Sequence, residues 1–122
     1  MSSTITYEIE NYKVLLCSRH SAWKTSYKHG AVITLFKAGS AIASLRFQEA
    51  VGTRQDYYFG KPGEEFLTIL FEMEDFDRVL SLLQTEKPLY VHLRKTYEEL
   101  KGIHFGLGSL STDREPVGEE EG

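Results

Sequence analysis

One cysteine, no long apolar run and no recognised catalytic signature define this chain by what it lacks. Cys17 is the single cysteine among 122 residues, which excludes an intrachain disulfide framework and a Cys-rich metal site. It fits a reducing compartment, and a cytoplasmic setting is the expectation. No apolar stretch of about 18 residues is present to span a bilayer. The start, MSSTITYEIENYK, has no basic region followed by an apolar core, so no secretory signal is expected. His20, His29, His92 and His104 form neither HExxH nor a close ligand pair, and no metal or other cofactor is expected. No G-x-S-x-G elbow presents a serine. The turn at 60–63, Gly-Lys-Pro-Gly, is too short for a phosphate loop and reads as a hairpin turn. Glu72, Glu74, Asp75 and Asp77 straddle a strand–helix junction, where solubility and capping explain them better than a divalent cation.

What is present is ordinary for a globular domain: 41% apolar and 26% charged residues, with seven Tyr, seven Phe and one Trp favouring strands. The length suits one domain, expected over 1–110, followed by a loosely held acidic tail over 111–122. Charge is unevenly placed. Residues 11–63 carry eight Lys/Arg against Glu49 and Asp56, whereas residues 64–122 carry six against fourteen carboxylates. Such polarity can steer a polyanion to one face or let two copies pair.

The stretch 65–87 organises the fold. Leu67, Ile69, Phe71 and Met73 alternate as the apolar face of a strand. The period then lengthens: Phe76, Val79, Leu80 and Leu83 form the stripe of a helix predicted over about 75–85. Asp75 is placed to cap it, and Leu80 to sit centrally in its buried stripe. Upstream, 5–9 alternates as an edge strand, and 12–18 reads as a strand buried on both faces over part of its length. Gly30 suggests a turn, 31–37 and 41–49 a hairpin around 38–40, and 56–59 a short strand. Strands follow at 89–94 and 103–107, separated by a charged segment 95–102 with room for one helical turn. Gly106 and Gly108 either admit a close neighbour or weaken an edge. The sum is an α+β domain: a mainly antiparallel sheet of about five to seven strands with one packed helix, curling towards a half-barrel. Its wetter face would carry Ser44, Arg46, Gln48, Tyr90, His92 and Arg94.

The loop 19–29 contains Arg19, His20, Trp23, Lys24, Tyr27, Lys28 and His29 and no acidic group. Cations for phosphate beside aromatic planes for bases suit single-stranded nucleic acid, with Arg46, Lys37 or Arg54 extending the surface. The competing explanation is that Trp23 folds back into the domain and the lysines form its solvated rim. Over residues 31–86 the order of short strands followed by an apolar-faced helix resembles the single-strand-binding fold of the whirly transcriptional regulators. That resemblance implies nucleic-acid binding but rests on element order and transfers no site residue. Two functions therefore compete. One is a small non-enzymatic interaction module, most simply a homodimer formed through sheet edges or the wetter face. The other is nucleic-acid binding through Arg19, Trp23, Lys24, Tyr27, Lys28 and Arg46. A small enzyme of unassigned class is the third reading, and no residue pattern speaks for it.

Overall fold

A computed structural model describes residues 3–16, 29–49 and 51–114. Eight strands and one helix succeed one another: β1 (Thr4–Glu8), β2 (Asn11–Leu16), β3 (His29–Lys37), β4 (Ser40–Gln48), β5 (Asp56–Phe59), β6 (Phe66–Glu72), α1 (Phe76–Thr85), β7 (Tyr90–Leu100) and β8 (Ile103–Ser111). They form one sheet in the order β1-β7-β8-β5-β6-β4-β3-β2. The α+β class and the single packed helix are as expected, but the sheet is larger and mixed. β4 and β6 run parallel, because β5 folds beyond the position next to β4 and β6 returns between them. Every other pairing is antiparallel.

Connectivity forces this sheet to curl. Its two edge strands, β1 and β2, are consecutive and joined only by Ile9 and Glu10. Eight flat strands at roughly 4.8 Å spacing would separate those edges by about 33 Å. Three peptide units reach at most about 11 Å. The edges therefore meet at a corner, and the result is a half-barrel. Ile9 N–H donates to the Leu89 carbonyl at 2.8 Å, and Glu10 N–H to the Phe36 carbonyl at 2.9 Å, so the corner is bonded to both sides. The Glu10 carboxylate also accepts from Ala38 N–H at 2.7 Å. Ala38 and Gly39 both have positive φ, as the tight two-residue turn between β3 and β4 requires.

The inner face holds the core. Ala31, Ile33 and Leu35 pair with Phe47, Leu45 and Ala43, which pair onward with Phe71, Ile69 and Leu67. All except Phe71 are essentially fully buried. Helix α1 closes over them through Val79 and Leu83. Phe47 is clasped by the organising unit, stacked on Phe71 at 5.3 Å and met edge-on by Phe76 at 5.2 Å.

Several details differ from the expectations. Leu80 is only half-buried, while Leu82 packs against the core. Asp75 does not cap α1 with its side chain. A 3-10 turn over Met73–Asp75 already gives Phe76 N–H the Met73 carbonyl, and Asp75 instead faces Arg78 at 3.6 Å. Gly30 lies within β3, where a Cβ would fall 2.3 Å from the Met73 sulfur, so it makes room rather than a turn. On β2, Val14, Leu15 and Leu16 are exposed rather than buried, since among the described residues only β3 pairs with this edge strand. The segment 95–102 is no helical turn. It is the outer half of the β7–β8 hairpin, closed by Lys101 and Gly102, both at positive φ. β8 runs to Ser111, and Asp113 hydrogen-bonds back through Ser111 Oγ, so the folded chain extends past residue 110. Residues 115–122 of the expected tail lie outside the described residues.

Candidate functional site

β5 is only four residues long, and its brevity creates the site. Asp56–Tyr58 pair with β8 and Tyr57–Phe59 with β6, and beyond Asp56 no strand among the described residues stands between β6 and β8. The Asp56 carboxylate takes the missing strand's place. One oxygen accepts from Leu70 N–H at 2.8 Å, and the other from Gly108 N–H at 2.7 Å. Burial raises the Asp56 carboxyl above its ordinary value, and the two N–H groups only partly offset that cost. The glycines of β8 admit close neighbours here. A Cβ on Gly108 would lie 2.5 Å from Ile69, and one on Gly106 2.3 Å from Leu93.

On the outer side lies a cleft of about 310 Å3 lined by Arg46, Gln48, Arg54, Gln55, Tyr57, Leu70 and Phe105. Strand alternation carries Arg46 and Gln48 outward from β4 and Leu70 outward from β6. Tyr57 and Phe105 are direct partners across β5 and β8. Gln48 is almost fully buried, and its amide oxygen accepts from Arg54 Nη1, which ties the 51–55 connection to the sheet. Arg46 stands in register between Val32 and Leu70, neither of which can neutralise it. Its Nε is buried with no hydrogen-bond partner among the described residues. Among the described residues no carboxylate lines the cleft. Glu72, in register with Gln48, is engaged with Val51 N–H at 3.1 Å.

Beside the cleft the outer face becomes apolar. Phe59, Ile103 and Leu107 are exposed, as is Leu100 at 61%. Leu100 and Ile103 pair across the hairpin arm, which projects past the last partner of β5. A bulge between Lys95 and Glu99 places Tyr97 at a φ of 64° and leaves it 74% exposed. Positive φ is costly for a bulky residue, so its display outward carries a conformational cost.

The other polar cluster is on the inner side of the same strands. Tyr58 stacks on His104 at 5.1 Å with Lys95 Nζ 5.9 Å from its ring, and Tyr7 donates to the Glu65 carbonyl at 2.9 Å. Burial, reinforced by Glu65, pushes the Tyr7 phenol up to about 12, and burial also raises Tyr58. Both phenols stay protonated near neutrality, which suits hydrogen bonding and packing rather than nucleophilic or base chemistry.

Of the residues singled out in the sequence, Arg46 and Arg54 are placed in the cleft. Arg19, Trp23, Lys24, Tyr27 and Lys28 lie outside the described residues, as do Cys17 and His20. The six residues assigned to the wetter face do share the outer face, but Ser44, Gln48 and His92 are buried there. His92 is held at both ring nitrogens, Nδ1 at 2.9 Å from Thr6 Oγ1 and Nε2 at 3.0 Å from the Asp113 carbonyl. Since that carbonyl can only accept, Nε2 carries a proton. Tyr57 and Phe105 were not legible as site residues, since only strand pairing brings them to Arg46, whereas Gln48 shares its face by alternation along β4. Among the described residues no helix is long and apolar enough to cross a membrane.

No protein-family model matches the chain, and neither a curated protein nor a solved structure matches it. The likeness to the whirly regulators therefore remains one of element order.

Proposed function

We propose that this protein is a non-enzymatic interaction module that pairs with a second copy of itself through the outer side of β5 and β8 and the projecting hairpin arm. The observation that carries this reading is the exposed group Phe59, Leu100, Ile103 and Leu107 on one side of one sheet. Single exposed leucines are commonplace, whereas a grouped apolar surface rimmed by polar residues is characteristic of an interface. A second copy is favoured by the arm's own charges. In two arms antiparallel across a two-fold axis, Lys101 of one copy would approach Glu98 of the other. The single cysteine supports a reducing, cytoplasmic setting for the pair.

Sedimentation or light scattering at micromolar concentration tests this. A dimer is expected, weakened moderately by salt because part of its attraction is between exposed charges. The double substitution Leu100→Lys and Ile103→Lys should give a monomer that still melts cooperatively. A wild-type chain that stays monomeric would refute the reading.

A further inference from the structure

We infer that the cleft between β4 and β8 binds a nucleotide, its phosphate on Arg46 and Arg54 and its base against Tyr57 and Phe105. This does not depend on self-pairing. It follows from an inconsistency within the fold: Arg46 lies half-buried between Val32 and Leu70, with no ion pair to a described carboxylate and its buried Nε unpartnered. One buried N–H of that guanidinium, unpartnered among the described residues, costs free energy in the empty protein, and an anion drawn to the group offsets the cost. Gln48 holds Arg54 on the rim of the same cleft, so a second guanidinium is already oriented there. Planar guanidinium groups match phosphate oxygens in pairs, which favours phosphate as the anionic part.

The remaining walls choose what the phosphate is attached to. Tyr57 and Phe105 are half-buried aromatics standing side by side across two paired strands. Stacking on such rings suits a flat base and tolerates any of the four. Gln55 supplies an amide able both to donate to and accept from a base edge. A volume near 310 Å3 is at the small end of ligand cavities, commensurate with one nucleotide rather than several. The same chemistry is offered by a free mononucleotide and by one unit of a single strand.

Calorimetric titration of the full chain distinguishes these sources. The ligands are adenosine 5′-monophosphate, adenosine, inorganic phosphate and a short single-stranded oligonucleotide. The monophosphate should bind at least about tenfold more tightly than adenosine or phosphate alone, because only it uses both halves of the cleft. Arg46→Ala and Arg54→Ala should each weaken it by about tenfold or more, the worth of a charge-assisted hydrogen bond. Arg46→Lys, which keeps charge but not the fork, should lose part of that. If the oligonucleotide binds more tightly than the monophosphate with the same dependence on both arginines, the ligand is a strand. If it does not, the ligand is a free nucleotide. Thermal melts with a wild-type midpoint establish that each variant is folded, and Arg54→Ala on the exposed rim serves if Arg46→Ala is not. The inference is overturned if the monophosphate binds no better than adenosine, or if binding survives in folded arginine variants. Tyr57 and Phe105 share the outer side of β5 and β8 with the proposed dimer surface, so the double-lysine arm variant, as a monomer, should bind the monophosphate at least as tightly as wild type, which separates this site from the dimer reading.

Discussion

The inner and outer faces of the sheet are made from alternate residues of the same strands, yet they obey opposite rules. Along β4, Ala43, Leu45 and Phe47 turn inward and are fully buried. The intervening Ser44, Arg46 and Gln48 turn outward, and Ser44 and Gln48 are nearly as buried as their neighbours. Along β8 the situation reverses: Ile103 and Leu107 face outward and are exposed, while Gly106 and Gly108 face inward and leave room for Leu93 and Ile69. The inner face is thus organised for packing against α1. The outer face combines buried polar groups with exposed apolar ones, the pairing of features that stability alone does not favour. That difference is what supports the proposals of a function on the outer face.

Substitutions that contrast the two faces sharpen this comparison. Phe47→Ala removes a fully buried ring contacted by both Phe71 and Phe76, and should cost about 3–5 kcal/mol in denaturant melts. A value near that of a surface change would mean that α1 does not close the core. Asp56→Asn leaves one acceptor for two backbone N–H groups and sets an NH2 against the other, at a cost of about 1–3 kcal/mol. Its pH dependence is a second readout. Because burial raises the Asp56 carboxyl in the folded state, folding binds this proton more tightly. The stability that this contributes is present below the ordinary value near 3.8 and is lost as pH rises through the raised one. The margin of wild type over Asp56→Asn should therefore shrink from acid towards neutral pH, and a widening margin would reverse the assignment. Gly108→Ala drives a Cβ into Ile69 and should cost about 1–3 kcal/mol, partly recovered by adding Ile69→Val. The smallest effect belongs to the outer surface, where Leu107→Ala should shift monomer stability by less than about 0.5 kcal/mol. A larger loss there would make the outer patch part of the core and remove the basis for an interface.

The inner face was legible in sequence because close packing demands strict alternation. Ile33 and Leu35, Ala43, Leu45 and Phe47, and Leu67, Ile69 and Phe71 mark their strands and their shared face. The spacing from Phe76 to Leu83 likewise marks α1, although it does not distinguish buried Val79 from half-buried Leu80. Alternation also grouped Ser44, Arg46, Gln48, Tyr90, His92 and Arg94 correctly, but it cannot tell what lies over a face. Gln48 is covered by Arg54, and His92 by Thr6 and Asp113, which approach from remote parts of the chain. The parallel pairing of β4 with β6 leaves no local trace, since β5 intervenes in sequence. The hairpin arm was misread for a related reason: no packed face imposes a period on 95–102. Within the site, Arg46 and Arg54 were visible as cations, while the meeting of Tyr57 with Phe105 is a property of topology.

The bonded corner at Ile9 and Glu10 also sets a timetable for a chain emerging residue by residue. β2 finds β3 soon after it is made, but β1 pairs with β7 alone, and Thr4 must wait for Arg94. β5 likewise lacks its second neighbour until β8 is complete. Closure of the curl therefore depends on the most distant contacts of the fold and cannot precede the synthesis of β8. Until then the nascent protein carries an open strand edge beside an unfinished apolar interior, the condition in which chains associate wrongly.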